Sequence, residues 1–299
     1  MFSTRDKIDI SVDDGRCILC RSCALACPSR VFSWEGDEID VHHPGRCIGC
    51  GHCVAVCPQE ALTHSELPNE SFEPVPERLP DAAGTLDGIL RSRRSRRRFS
   101  GDPLGREVIE ELVQATGYSP TSTNSQNVRF IVFEGPERVK KLTEWTSRYY
   151  LKLGRQLANP FVRLAISLAV GRKTVNAYRF RMPAIVDMFR ATLEGEEDRL
   201  FYDAPAVAVI FASGLPHLAS ASCNLAAMQL LLAADARGIG GCFNGYALTA
   251  LVRDKKVRQL VGIGKGYTPG AVVALGRTAG KFYRIPPRNK QRIIWWEEE

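Results

Sequence analysis

Long apolar runs are missing from this sequence. No stretch of its 299 residues approaches the ~20 consecutive apolar positions that a membrane-crossing helix needs, and the longest candidate, Phe161 to Val170, contains Arg163 and is far too short. The opening segment, MFSTRDKIDISVDD, has no basic flank leading into an apolar stretch, so nothing in it reads as a secretory signal. A cytoplasmic protein with no membrane partner is the expectation. The composition also lacks the marks of disorder: 44% of residues are hydrophobic and 24% charged, ordinary for a globular chain with room for about two domains. The G-x-G-x-x-G dinucleotide fingerprint is absent too, which leaves no separate domain to hold a nicotinamide.

What is present is uneven. Eight of the ten cysteines fall inside 41 residues, in two matching groups, a regularity that disulfides do not explain. In a reducing cytoplasm, clustered thiols more often bind metal than pair with one another. Residues 1–66 carry ten acidic and six basic side chains, a net −4 within a chain of net +7, so the remainder carries +11. That asymmetry favours an anionic ligand, cofactor or partner on the C-terminal part.

The first segment repeats itself after about 30 residues, from Arg16-Cys17-Ile18 to Arg46-Cys47-Ile48, each copy closing on Cys-Pro at Cys27-Pro28 and Cys57-Pro58. Short hairpins are expected to flank both copies. Leu67 to Gly84, with Pro68, Pro74, Pro76 and Pro80, reads as an extended linker. This divides the chain into domains at 1–66 and 85–299, joined by 67–84. In the second domain, short helices are predicted around Leu86–Leu90 and Val108–Val113, the latter stopping at Gly117. Val128–Phe133, Ala206–Phe211 and Ala271–Leu275 read as strands, and a long apolar helix runs from about Ser220 to Arg237. An α+β fold follows, with at least one largely buried helix. Residues 145–200 look helical, hold ten basic and five acidic residues, and interrupt the strand-helix rhythm. They read either as a solvated helical insertion or as a lid whose basic side chains select an anionic substrate.

Cys17, Cys20, Cys23 and Cys27 give C-x2-C-x2-C-x3-C-P, and Cys47, Cys50, Cys53 and Cys57 repeat the pattern. Two-residue gaps let one tight loop turn three sulfurs toward a common point, and soft thiolates suit the iron of a cubane. Paired zinc sites are the plainer alternative, but they show separated C-x2-C pairs rather than unbroken four-cysteine runs. Residues 10–64 resemble bacterial two-cluster ferredoxins. The resemblance implies two 4Fe-4S clusters, one held by Cys17, Cys20, Cys23 and Cys57 and the other by Cys47, Cys50, Cys53 and Cys27, because the fourth cysteine of each run serves the other cluster. Clusters that are structural and carry no current remain an alternative.

Six arginines crowd Arg91 to Arg98. The run suits a nucleic-acid patch, a solvated helix face or a phosphate clamp, since planar guanidinium forks bind phosphate oxygens in pairs. Its neighbours narrow the choice. Arg93-Arg94-Ser95-Arg96-Arg97-Arg98-Phe99 resembles the R-R-S-x-R-x-F signature of FMN-dependent nitroreductases, and Pro120-Thr121-Ser122-Thr123-Asn124-Ser125-Gln126 resembles their P-S-x-x-N-x-Q segment. Gly238-Ile239-Gly240-Gly241-Cys242-Phe243-Asn244-Gly245 is similar to the family's glycine-rich turn beside the flavin ring. Taken singly, the second segment is an Asx-rich turn and the third a helix C-cap and loop.

The resemblance implies that Arg93, Arg94, Ser95 and Arg97 hold the FMN phosphate, ribityl chain and polar ring edge. It places Pro120, Thr121, Ser122 and Asn124 along the flavin, from a partner subunit or the same one. Cys242 would sit in the turn, Asn244 and Gly245 would offer backbone N–H groups to N5 and O4, and Arg284 and Arg288 would make late phosphate contacts. Phe243 stands where the family often has tryptophan. The resemblance further implies a homodimer with reduced ferredoxin or NAD(P)H as donor and a nitroaromatic, quinone or similar small acceptor. Two other functions compete: a redox-sensing nucleic-acid-binding protein, and a flavin dehydrogenase exporting electrons through its clusters.

Overall fold

The computed structural model of the chain describes residues 8–36 and 38–297, with backbone alone for residues 166, 169, 170 and 172–179. Residues 1–7, on which the reading of the opening segment partly rests, lie outside the described residues.

The internal repeat folds as two interlocked copies. Strand β1 (Ile10–Val12) is followed by α1 (Ser22–Ala26), β2 (Phe32–Glu35), β3 (Glu38–Val41), α2 (His52–Ala55) and β4 (Leu62–His64). β2 and β3 form an antiparallel hairpin, whereas β1 pairs with β4, Ile10 opposite His64, and so ties the two ends of the repeat together. Only the first of these is a hairpin, because the β1 partner lies a whole repeat away. Ile8, Ile10, Val31, Phe32, Val54 and Leu62 form the core, with Phe72 from the following segment packed on it.

The cysteine loops turn through left-handed backbone at equivalent positions. The first copy uses Leu19 (φ 57) and Arg21 (φ 62), and the second uses Gly49 (φ 61) and Gly51 (φ 72). A side chain in this conformation costs about 1–2 kcal/mol, which glycine avoids. The glycines serve closeness as well, because a Cβ on Gly51 would stand 3.2 Å from the Phe72 ring.

Residues 73–79 run exposed, without helix or strand, and Asp81 caps α3 (Ala82–Ser92) by accepting from the Gly84 N–H. Beyond come α4 (Arg106–Ala115), β5 (Val128–Glu134), α5 (Pro136–Ala158), α6 (Pro160–Val170) and α7 (Arg172–Glu194). The order continues with β6 (Ala206–Ser213), α8 (Pro216–Ala236), β7 (Ile239–Phe243), α9 (Gly245–Arg253), α10 (Lys255–Val261) and β8 (Tyr267–Arg277). The sheet runs β5-β6-β8-β7, every neighbouring pair antiparallel.

Both faces of this sheet are covered, which is why β6 is apolar throughout rather than alternating. Ala206, Ala208, Ile210 and Ala212 face α4 and α8. Val207, Val209 and Phe211 face α5, α9 and α10. Helix α8 is long and apolar enough to span a bilayer by composition, contrary to the expectation that no such segment exists. Its Ala219, Cys223, Ala227, Leu230 and Ala234 are buried in the core, so it is the central helix of the sandwich. The region read as a helical insertion is helical, with Pro183 inside α7.

Candidate functional site

The eight cluster cysteines line two cavities. Cys17, Cys20, Cys23 and Cys57 surround one of about 20 Å³, and Cys27, Cys47, Cys50 and Cys53 surround one of about 10 Å³. Each cavity thus takes three thiols from one run and the fourth from the other. Among the described residues, no three Cys, His, Asp or Glu side chains form a single-ion site. Four soft sulfurs around one cavity, three from one run and one from the other, are a donor set that fits a cubane. Burial pushes the Cys53 thiol up to about 11 and raises Cys23 as well, and a bound cation would favour the thiolate form of both. Backbone N–H groups already face the sulfurs: Val31 donates to Cys27 at 3.4 Å, Ala61 to Cys57 at 3.3 Å and Gly49 to Cys47 at 3.3 Å.

His64 is a neighbour that sequence reasoning missed. It is buried at the end of β4, its Nδ1 accepts from the Glu66 N–H at 3.2 Å, and its Nε2 lies 3.5 Å from Cys47 Sγ. An accepting Nδ1 puts the ring proton on Nε2, aimed at the sulfur. A lone histidine gives no signal in sequence; only the β1–β4 pairing brings it to the cysteine.

The two cavities differ in surroundings. Around the first, Ile18, Leu19 and Cys20 are exposed, and Leu25 and Trp34 are exposed nearby on the same copy. Around the second, Gly49 and Gly51 are buried. Asn124 Nδ2 donates to the Gly49 carbonyl at 2.7 Å, so the second cysteine loop lies against the Pro120–Gln126 segment. That segment is itself strained: Thr123 (φ 51), Asn124 (φ 51) and Gln126 (φ 45) are all left-handed, a condition concentrated at functional sites. The Thr121 hydroxyl steadies it by accepting from Gln126 N–H at 3.0 Å; Pro120 precedes that turn and Ser122 lies within it.

The arginine run docks on the opposite edge of the sheet. Ser95 bridges to Gly241 in parallel, Arg96 N–H donates to Gly241 O at 3.0 Å, and Phe99 pairs with Thr278. Glycines are required at this crossing, because a Cβ on Gly240 would meet Arg96 at 2.8 Å and one on Gly241 would collide with Leu231. The stretch predicted to be a turn is therefore the strand β7, pinned between β8 and the arginine run. Ser95, Arg96, Arg97, Arg98, Lys281 and Phe282 line a cavity of about 330 Å³. The Nε atoms of Arg93, Arg94 and Arg96 are buried without a hydrogen-bond partner. Buried donors of this charge fit a phosphate-bearing cofactor.

Beside the clamp, Arg97, Tyr202, Cys242 and Ser95 form one group. Burial raises the Cys242 thiol, opposed by the Arg97 charge and a Ser95 hydrogen bond. Burial likewise raises the Tyr202 phenol, again opposed by Arg97. The Asn244 N–H is donated to Val272 O at 2.7 Å and its side chain caps α9 through the Ala247 N–H, so it is taken by the fold and not free for a ring atom. Gly245, in the first turn of α9, retains an N–H with no helical acceptor. Arg284 and Arg288 stand exposed on the extended tail, and the tail residues that reach the basic cavity are Lys281 and Phe282.

Two four-thiol cavities and a half-buried arginine cluster stand beside a helix-covered antiparallel sheet. Residues 90–277, more than half of the chain, match the nitroreductase family, and residues 9–58 match the 4Fe-4S dicluster domain. The chain belongs to the nitroreductase family and carries a ferredoxin-type dicluster domain at its N-terminal end. It is 25% identical over 164 residues to a nitrobenzene nitroreductase of Ectopseudomonas oleovorans, covering 52% of this chain and 72% of that protein. It is 24% identical over 176 residues to a chloronitrobenzene nitroreductase of Comamonas testosteroni, covering 54% and 73%. A nitroreductase with bound FMN from Bacteroides fragilis superposes with a TM-score of 0.53 at 18% identity, over 71% of this chain and 98% of that one. At that identity the likeness speaks for the fold alone.

Proposed function

We propose that the chain is a cytoplasmic iron-sulfur flavoprotein oxidoreductase, active as a homodimer, that carries two 4Fe-4S clusters on residues 1–66 and one FMN on residues 85–299. The observation that carries this reading is the Asn124–Gly49 hydrogen bond, which holds the Cys27, Cys47, Cys50 and Cys53 cavity against the family's flavin-lining segment. FMN exchanges electrons singly or in pairs and so joins one-electron carriers to two-electron reduction of an organic molecule.

The exposed Ile18-Leu19-Cys20 loop is the side on which a one-electron carrier such as reduced ferredoxin docks. The covered loop is the exit toward the flavin. The named relatives support a nitroaromatic or similar acceptor. Helices α5 and α7 meet α9 beside Gly245: Tyr150 stacks on Phe189 at 4.7 Å, and both rings meet Tyr246 edge-on. These contacts support a reading in which the 145–200 region borders the ring site and acts as its lid. The nucleic-acid reading is disfavoured, because Arg93, Arg94 and Arg96 are half-buried rather than displayed as a stripe.

The test is anaerobic purification with iron, sulfide and flavin quantified per chain. About eight irons and one FMN are expected from two cubanes and one clamp. Zinc in place of iron, or no flavin, defeats the proposal.

A further inference from the structure

The Pro120–Gln126 segment and the arginine clamp stand at opposite edges of one sheet. The segment leads into β5, the first strand of the order β5-β6-β8-β7, while the clamp is hydrogen-bonded to β7, the last. At the usual spacing of about 4.8 Å between neighbours, clamp and β5 are four steps, or about 19 Å, apart. Both faces between them are covered, by α4 and α8 on one side and α5, α9 and α10 on the other. The cavity at the clamp is lined by Ser95–Arg98 and Thr278–Phe282, with no residue of the segment. The second cysteine loop, however, is fixed to the segment of its own chain through Asn124.

From this we infer that the clusters of one chain serve the flavin held by the arginines of a second copy, so that electrons cross the subunit interface. The inference rests on the proposed function, in which clamp and segment line the same flavin. A flavin completed by two chains has the clamp of one and the segment of the other, and the Cys27, Cys47, Cys50 and Cys53 cavity travels with the segment. Reduction of one FMN takes two electrons, one from each of two reduced ferredoxin molecules, and two protons from water.

The test uses two full-length chains with different tags, co-expressed and purified through both. One carries Cys50→Ser and keeps its arginines; the other carries Arg93→Glu and Arg97→Glu and keeps its cysteines. Reduced ferredoxin is added without oxygen, and the loss of the flavin's visible absorbance is timed per bound flavin. Wiring between chains predicts bleaching within about twofold of the parent protein, because the one intact clamp faces the one intact cluster pair. Wiring within a chain predicts bleaching slower by about tenfold or more, equivalent to at least 1.4 kcal/mol on the barrier, and overturns the inference. If Cys50→Ser empties the chain of iron altogether, Cys20→Ser, in the exposed loop, serves in its place with the same two outcomes. A parent protein that is monomeric or lacks FMN or iron would instead sink the proposed function, so the two failures are distinguishable.

Discussion

Asn124 and Gly49, 75 residues apart in sequence, are joined by a 2.7 Å hydrogen bond from the Asn124 side-chain amide to the Gly49 carbonyl. The bond joins the second cysteine loop to the segment that leads into β5. Asn124→Ala removes the donor and leaves the carbonyl short of a partner, at a cost of about 1–2 kcal/mol to the docking. Iron content is expected to stay at the parent level while reduced ferredoxin bleaches the flavin more slowly. Unchanged bleaching at full flavin occupancy would show that this contact does not set the approach of the clusters.

Gly51 carries both a left-handed backbone (φ 72) and a ring 3.2 Å from where its Cβ would be. Gly51→Ala is therefore expected to cost about 1–2 kcal/mol or more and to release iron at a lower temperature, followed by the visible absorbance on heating. Gly45→Ala is the contrast. Nothing stands within 4 Å of its Cβ and its φ is ordinary, so it is expected to be silent.

His64 gives a prediction confined to one cluster. Its Nε2–H faces Cys47 Sγ at 3.5 Å, and a hydrogen bond to a ligand sulfur favours the reduced, more negative state. His64→Phe is expected to lower the potential of one cluster by on the order of tens of millivolts, where 59 mV is a tenfold change for one electron. His64→Gln, which keeps a donor, restores part of it. A redox titration that moves both signals equally, or neither, would remove His64 from this role.

These residues also mark how far the sequence could be read. The cysteine sets were legible because cluster ligation imposes local spacing, and the long helix because its apolar run persists for several turns. Strand β7 was not: Gly240 and Gly241 look like turn residues, and only the tertiary crossing of Arg96 and Leu231 makes them obligatory in a strand. Asn124 looked like a flavin contact, and its bond to the cysteine loop depends on how two separately patterned regions dock. Asn244 matched its motif, yet its N–H belongs to Val272 because the strand continues one residue past Phe243 in hydrogen bonding.

Alkaline stability follows from Cys223. Burial pushes its thiol from 9.0 to about 12, opposed by a backbone hydrogen bond at Gly270. Because the folded value is the higher one, the neutral thiol's contribution to stability is complete below about pH 9 and is lost as pH climbs toward 12. Cys223→Ala is expected to begin about 1 kcal/mol less stable near neutral pH, from the small cavity, and then to fall less steeply than the parent above pH 9. Parallel slopes in thermal unfolding across that range would assign the alkaline loss to other groups.

The aromatic junction of Tyr150, Phe189 and Tyr246 should separate the acceptor side of the reaction from the donor side. Phe189 is fully buried and stacks on Tyr150, whose hydroxyl donates to the Tyr246 carbonyl at 3.3 Å, one residue beyond Gly245. Loosening the junction lets α7 shift over the ring site without touching a cysteine or an arginine of the clamp. Phe189→Leu keeps most of the buried volume and is expected to cost about 1–2 kcal/mol of stability, whereas Phe189→Ala costs about 3–5 kcal/mol. With the milder variant, KM for a nitroaromatic acceptor is expected to rise several-fold while flavin content and the rate of bleaching by reduced ferredoxin stay at the parent values. A change in bleaching with KM unmoved would place the junction on the electron-entry side and end the reading of residues 145–200 as a lid over the acceptor.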